Sequence, residues 1–113
     1  MKKIYLSPSD QSANAYAYGG TNEAAQCRRF ADAAQAALER CGFSVKNNQT
    51  GSMYDRAAES NRWEADLHVC IHTNAFDGTV SGTRMFAFNT TGSGYKAAQA
   101  IFRVLAPITP GRS

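Results

Sequence analysis

"ADLHVCIHTNAF", Ala65 to Phe76, decides how this chain folds. Apolar and β-branched residues run through it without a helical period, so it reads as a strand. Both histidines of the chain lie inside it. Strand alternation predicts that His68, Cys70 and His72 face one way, and Leu67, Val69 and Ile71 the other. His72 closes the run, directly ahead of Thr73, Asn74 and Ala75.

The segments on either side alternate in type. "KKIYLS" is a short β-type run, Lys2 to Ser7, stopped by Pro8. A polar, glycine-containing loop follows, and then Thr21 offers an N-cap, with Glu23 in the first turn where the helix dipole favours a carboxylate. Cys27, Phe30, Ala31, Ala34 and Leu38 recur at helical spacing, which predicts one amphipathic helix over 22–41, ended by Gly42. "FSVKN" restarts as a strand, and a second helix is expected from Tyr54 to Glu64. After the histidine strand, "SGTRMFAF" (81–88) reads as a further strand. "GSGYKAAQAIFRVLAP" (92–107) reads as a third helix, with Ala98, Ile101, Phe102 and Leu105 on one side. The expected order is β-α-β-α-β-β-α. That alternation predicts an α/β fold: an open, mostly parallel sheet with helices on both faces, in a single domain over 1–113.

Composition narrows the partners. The 12 basic residues are scattered rather than gathered in a stripe, and the formal net charge is only +3, so no nucleic-acid footprint is expected. No apolar run approaches a membrane span, and no long apolar segment follows the two lysines at the start, so neither a span nor an export signal is read. The three cysteines, Cys27, Cys41 and Cys70, lack paired spacing and are expected as buried free thiols.

In open α/β sheets, ligands sit outside the carboxyl ends of the strands. Three polar clusters should meet there: Ser7, Ser9, Asp10 and Gln11 after the first strand, Glu23 at the head of the first helix, and His72 with Asn74 after the central strand. His68 lies mid-strand and about 13 Å from His72, too far to share a metal ion, so it is expected to be structural. Cys70 and His72 are about 6.6 Å apart along a strand, which excludes a cysteine–histidine nucleophile pair. No G-x-S-x-G, P-loop or G-x-G-x-x-G motif is present. A histidine and a carboxylate with an open position are the beginning of a catalytic zinc site.

The residues themselves resemble a family. "ADLHVCIHTNA" is similar to the signature strand of the zinc-dependent N-acetylmuramoyl-L-alanine amidases, cell-wall hydrolases of the amidase type 3 group. "GGTNE" resembles that family's zinc-binding glutamate position, "RAAESNRW" its arginine-and-asparagine helix, and "SGTRMF" the glycine-led strand that follows. The resemblance implies a zinc cofactor, with Glu23 and His72 as two ligands. It implies Asn74 in the wall of the site, with Gln11 beside it toward substrate. It also implies peptidoglycan or a muropeptide as substrate, cleaved at the amide between the lactyl group and L-alanine, with a glutamate as general base.

Two departures stand out. The loop that carries a histidine ligand in the family reads "SPSDQS" here, so Asp10 or Gln11 takes that place; Asp10, an oxygen donor, is the better ligand. The general-base glutamate is expected near a last strand beyond Ser113. Glu39, Glu59 and Glu64 are no obvious substitutes, so no catalytic base is identified within 1–113. The chain then resembles an amidase domain lacking its last strand, a strand that a second chain could supply. The alternative function is a catalytically incomplete module that binds muropeptide, with Tyr16 and Tyr18 available to stack on sugar. The substrate lies outside the membrane, so secretion or release by lysis, as for an endolysin, would bring the protein to it.

Overall fold

A computed structural model of the chain describes residues 2–73 and 82–109. They fall into two compact units, Met1–Ala75 and Phe76–Ser113.

The first unit is a βαβαβ arrangement. Strand β1 (Lys3–Pro8) leads through helix α1 (Glu23–Arg40) to strand β2 (Ser44–Asn47), and through helix α2 (Met53–Arg62) to strand β3 (Leu67–Ile71). The three strands form a parallel sheet in the order β2-β1-β3. The chain leaves β1 toward one edge and then crosses back over it to the other. Right-handed crossovers in opposite directions put the two helices on opposite faces. The contacts agree. Asn47 of β2 donates to Asp32 and Gln35 of α1, whereas Tyr5 and Ser7 of β1 bond to Glu59 and Arg56 of α2.

Sandwiched between helices, β1 must be apolar on both faces or have its polar groups satisfied. Ile4, Tyr5 and Leu6 are buried, and with Cys27 and Ala31 of α1 they are the apolar core of this unit. So small a core depends on each member: Leu6→Ala should remove about 3 kcal/mol. The buried Tyr5 ring stacks on His68, its register partner on β3, with centroids 4.8 Å apart and planes 18° from parallel. His68 is therefore structural. Burial, and after it the charge of Arg56, push its imidazole pKa down.

The helix ends follow local chemistry. Asn22, not Thr21, caps α1, its side chain accepting from the Ala25 amide at 2.9 Å. Thr21 sits one residue too early and instead accepts from the Gln26 side chain. Ser52 and Asp55 make a reciprocal capping box on α2. Two of the expected buried thiols differ. Cys27 is buried, but Cys41 follows the end of α1 and Cys70 faces outward from β3, and both are exposed.

The second unit holds helix α3 (Ser93–Leu105), which runs into a 3-10 turn (Ala106–Ile108). The Asn89 side chain accepts from the Thr91 and Gly92 amides ahead of the helix. Ile101, expected on the packed side with Ala98, Phe102 and Leu105, is 37% exposed. The strand expected over 81–88 is not formed within its described part, 82–88. A strand exists only in a ladder, and among the described residues no ladder includes this segment. Its alternating apolar residues Phe86 and Phe88 are exposed instead. The observed order is β-α-β-α-β-α, still an open parallel α/β sheet. Among the described residues no helix is long and apolar enough to cross a membrane.

Candidate active site

Strands β1 and β3 are neighbours, and the crossover that leaves β1 runs opposite to the one that enters β3, so their carboxyl ends flank the switch point where α/β sheets bind ligands. Past Pro8 the ladder continues for one more bond, from the Ser9 amide to the Ile71 carbonyl at 2.9 Å. The chain then turns away from the sheet at Asp10.

The loop returns as a narrow hairpin. Ala15 and Asn22 form an antiparallel bridge, and the Tyr16 amide donates to the Thr21 carbonyl at 3.0 Å. Gly19 and Gly20 make the reversal at φ of 88° and 62°, where a side chain would be strained. The hairpin delivers Glu23 to the sheet edge as the first residue of α1, its amide donating to the Asn14 carbonyl at 3.0 Å. Gln49 ties the assembly from behind, donating to the carbonyls of Ser9 and Ala24.

Glu23 is 2% exposed, and an isolated carboxylate so placed would be expelled or neutralised. Its oxygens are instead surrounded by donors. Asn14 Nδ2 donates to Oε1 at 2.8 Å, and His72 Nδ1 lies 3.0 Å from Oε2. The Ser9 hydroxyl and the Thr73 backbone act on the carboxylate in the same sense. Burial pushes the carboxyl pKa up, but these hydrogen bonds outweigh it and hold it below the ordinary glutamate value. The side chain of His72 is 49% exposed, so the pair has one buried and one open member.

His72 lies one residue beyond β3, where strand alternation no longer binds it. It therefore reaches Glu23 on α1, while His68 and Cys70 stay in register with Tyr5 and Ser7. Beside the pair, Tyr16 Oη and Thr73 Oγ1 share a hydrogen bond. Cys27, one turn along α1 from Glu23, is fully buried, and that burial raises its thiol pKa, so it is not a nucleophile.

The other expected site residues are placed differently. Asp10 turns to Arg56, with Oδ2 3.3 Å from Nη2. Gln11 is exposed, and its Oε1 accepts from Asn14 at 3.1 Å. Asn74 lies outside the described residues. The structure thus brings Glu23 and His72 together and turns Asp10 away. Among the described residues no group of three His, Cys, Asp or Glu side chains could hold a metal ion.

Sequence reasoning placed Ser9 at this edge but missed Asn14, Thr73 and Arg56 as parts of the site. Arg56 is 4% exposed, and its Nη1 donates to Ser7 Oγ at 3.0 Å and to the Pro8 carbonyl at 2.8 Å. It pins the end of β1 where the loop begins. The glycine pair Gly19–Gly20 was the one available signal, since a tight reversal there pairs the residues on either side of it.

A family model described as N-acetylmuramoyl-L-alanine amidase matches residues 7–110. No curated protein and no solved structure matches the chain significantly.

Proposed function

The chain belongs to the N-acetylmuramoyl-L-alanine amidase family, and from that premise we propose that it cleaves the muramoyl–L-alanine amide of peptidoglycan or a muropeptide with zinc held by Glu23 and His72. One observation carries the reading: a buried carboxylate oxygen and an imidazole nitrogen stand 3.0 Å apart at the β1/β3 switch point. Two donors on a tetrahedral zinc, each at about 2.0–2.1 Å, are about 3.3 Å apart, so the pair suits the ion with little movement. Bound there, zinc would supply Lewis-acid polarisation of the scissile carbonyl.

The chain's own residues do the rest. Glu23 is ionised and oriented before any ligand arrives, because its donors are fixed by β1, β3 and the hairpin. His72 would present Nδ1 to the metal as the neutral imidazole, with its one N–H on Nε2. Gln11 and Asn74 are proposed to meet the substrate beside the pair. Asp10 is the carboxylate in ion-pair reach of the buried Arg56, and moving it would leave that charge with neutral acceptors only. The proposed ligand set is therefore Glu23 and His72, with Asp10 assigned to the loop.

A second reading is favoured by the same ion pair. With two protein ligands in place and no third side chain gathered among the described residues, the fold would hold muropeptide without turning it over. Incubating the zinc-supplemented chain with a soluble muropeptide and weighing the products separates the two. Amidase action yields a lactyl carboxylic acid on the sugar and a stem peptide with a free L-alanine amine. An intact muropeptide retained by the folded chain would favour the binding module.

A further inference from the structure

We infer that Asn14 is a positioning residue for this site, acting through Glu23; the inference rests on the Glu23–His72 reading above. Asn14 holds Glu23 at two points. Its carbonyl accepts the Glu23 backbone amide at 3.0 Å, and its side-chain nitrogen donates to Glu23 Oε1 at 2.8 Å. The second hydrogen of the same NH2 group goes to Gln11 Oε1 at 3.1 Å. A carboxylate only accepts, so the Asn14 amide must present its nitrogen to Glu23; the flipped amide would set oxygen against oxygen.

This grip determines which oxygen is offered. With Oε1 saturated from the hairpin side, Oε2 is the one turned to His72. The terminal torsion of a glutamate is broad and two-fold, so without that bond the carboxylate plane loses its hold on the hairpin side and is less firmly oriented toward His72. Partners that hold a metal-ligating carboxylate set its orientation, and their loss weakens metal binding although they never touch the ion. Gln11 acts one step further out: it fixes the Asn14 amide, and the bridge between Ala15 and Asn22 keeps Asn14 opposite Glu23.

The test compares wild type with Asn14→Ala, and with Asn14→Asp, which keeps the side-chain size but removes both donors. Two readouts are taken on metal-stripped protein: zinc affinity by calorimetry, and the imidazole 15N resonances of His72 at one fixed pH without metal. Asn14→Ala should weaken zinc about 10- to 100-fold and shift the His72 resonances, with a wild-type circular dichroism spectrum. Gln11→Ala should do the same to a smaller degree. Should Asn14→Ala fail to fold, Asn14→Asp must show the His72 shift. A folded variant with unchanged His72 resonances, or with undiminished zinc affinity, overturns the inference. If wild type binds no zinc, the metal reading fails by itself, and the His72 resonances still decide the role of Asn14.

Discussion

Glu23 and His72, 49 residues apart in the chain, meet through Oε2 and Nδ1 at 3.0 Å. The meeting is a product of topology. Parallel strands β1 and β3 end side by side, the Gly19–Gly20 hairpin returns the chain to the same edge, and α1 begins there with Glu23. Nothing in the pair depends on neighbours in sequence, which is why it required the whole βαβαβ unit to form.

Glu23 makes the acid stability of this unit pH-dependent. Its carboxyl pKa is lower when folded than when unfolded, so its contribution is present above the ordinary glutamate range and is lost as pH falls through the folded value. Glu23→Gln keeps the shape and removes the titration. Urea midpoints measured from neutral to acidic pH should fall less steeply for Glu23→Gln than for wild type. Parallel curves would contradict the assignment.

Tyr5 gives the opposite limb. Burial first, and then the hydrogen bond to Glu59 at 2.5 Å, raise its phenol pKa. Folding favours the protonated phenol, so this stability is present below the ordinary tyrosine range and is lost as pH rises through the folded value. Tyr5→Phe should lower stability by about 1 kcal/mol at neutral pH and flatten the alkaline decline. An unchanged alkaline limb in Tyr5→Phe would count against it.

Arg56 and Asp10 form an asymmetric pair. The guanidinium is buried and serves Ser7 and Pro8 as well, whereas the Asp10 side chain is 54% exposed. Arg56→Met strands a buried hydroxyl and a carbonyl and should cost about 3 kcal/mol. Asp10→Asn keeps an acceptor and should cost about 1 kcal/mol or less. Chemical denaturation measures both. Equal losses would mean that the ion pair, not the backbone staple, is what Arg56 contributes.

Much of the framework was legible because it is periodic. The helical recurrence of Cys27, Ala31, Ala34 and Leu38 and the strand run from Leu67 to Ile71 are local patterns, and both elements formed. His72 and Glu23 were legible too, from the rule that places ligands at the carboxyl edge of such a sheet. Non-local polar partners have no period. Nothing in "SPSDQSAN" distinguishes Asp10, which turns to Arg56, from Asn14, which turns to Glu23. Residues 82–88 mislead for a related reason: apolar alternation reports a pattern, while a strand needs a ladder partner that no local window contains.

The most direct test of the central claim is a zinc titration of the metal-stripped chain beside His72→Ala and Glu23→Gln. The account predicts one zinc per wild-type chain, and loss of that binding in both variants while their circular dichroism stays that of wild type. Absence of binding by folded wild type, or undiminished affinity in either variant, would contradict the claim that Glu23 and His72 form a metal-binding pair.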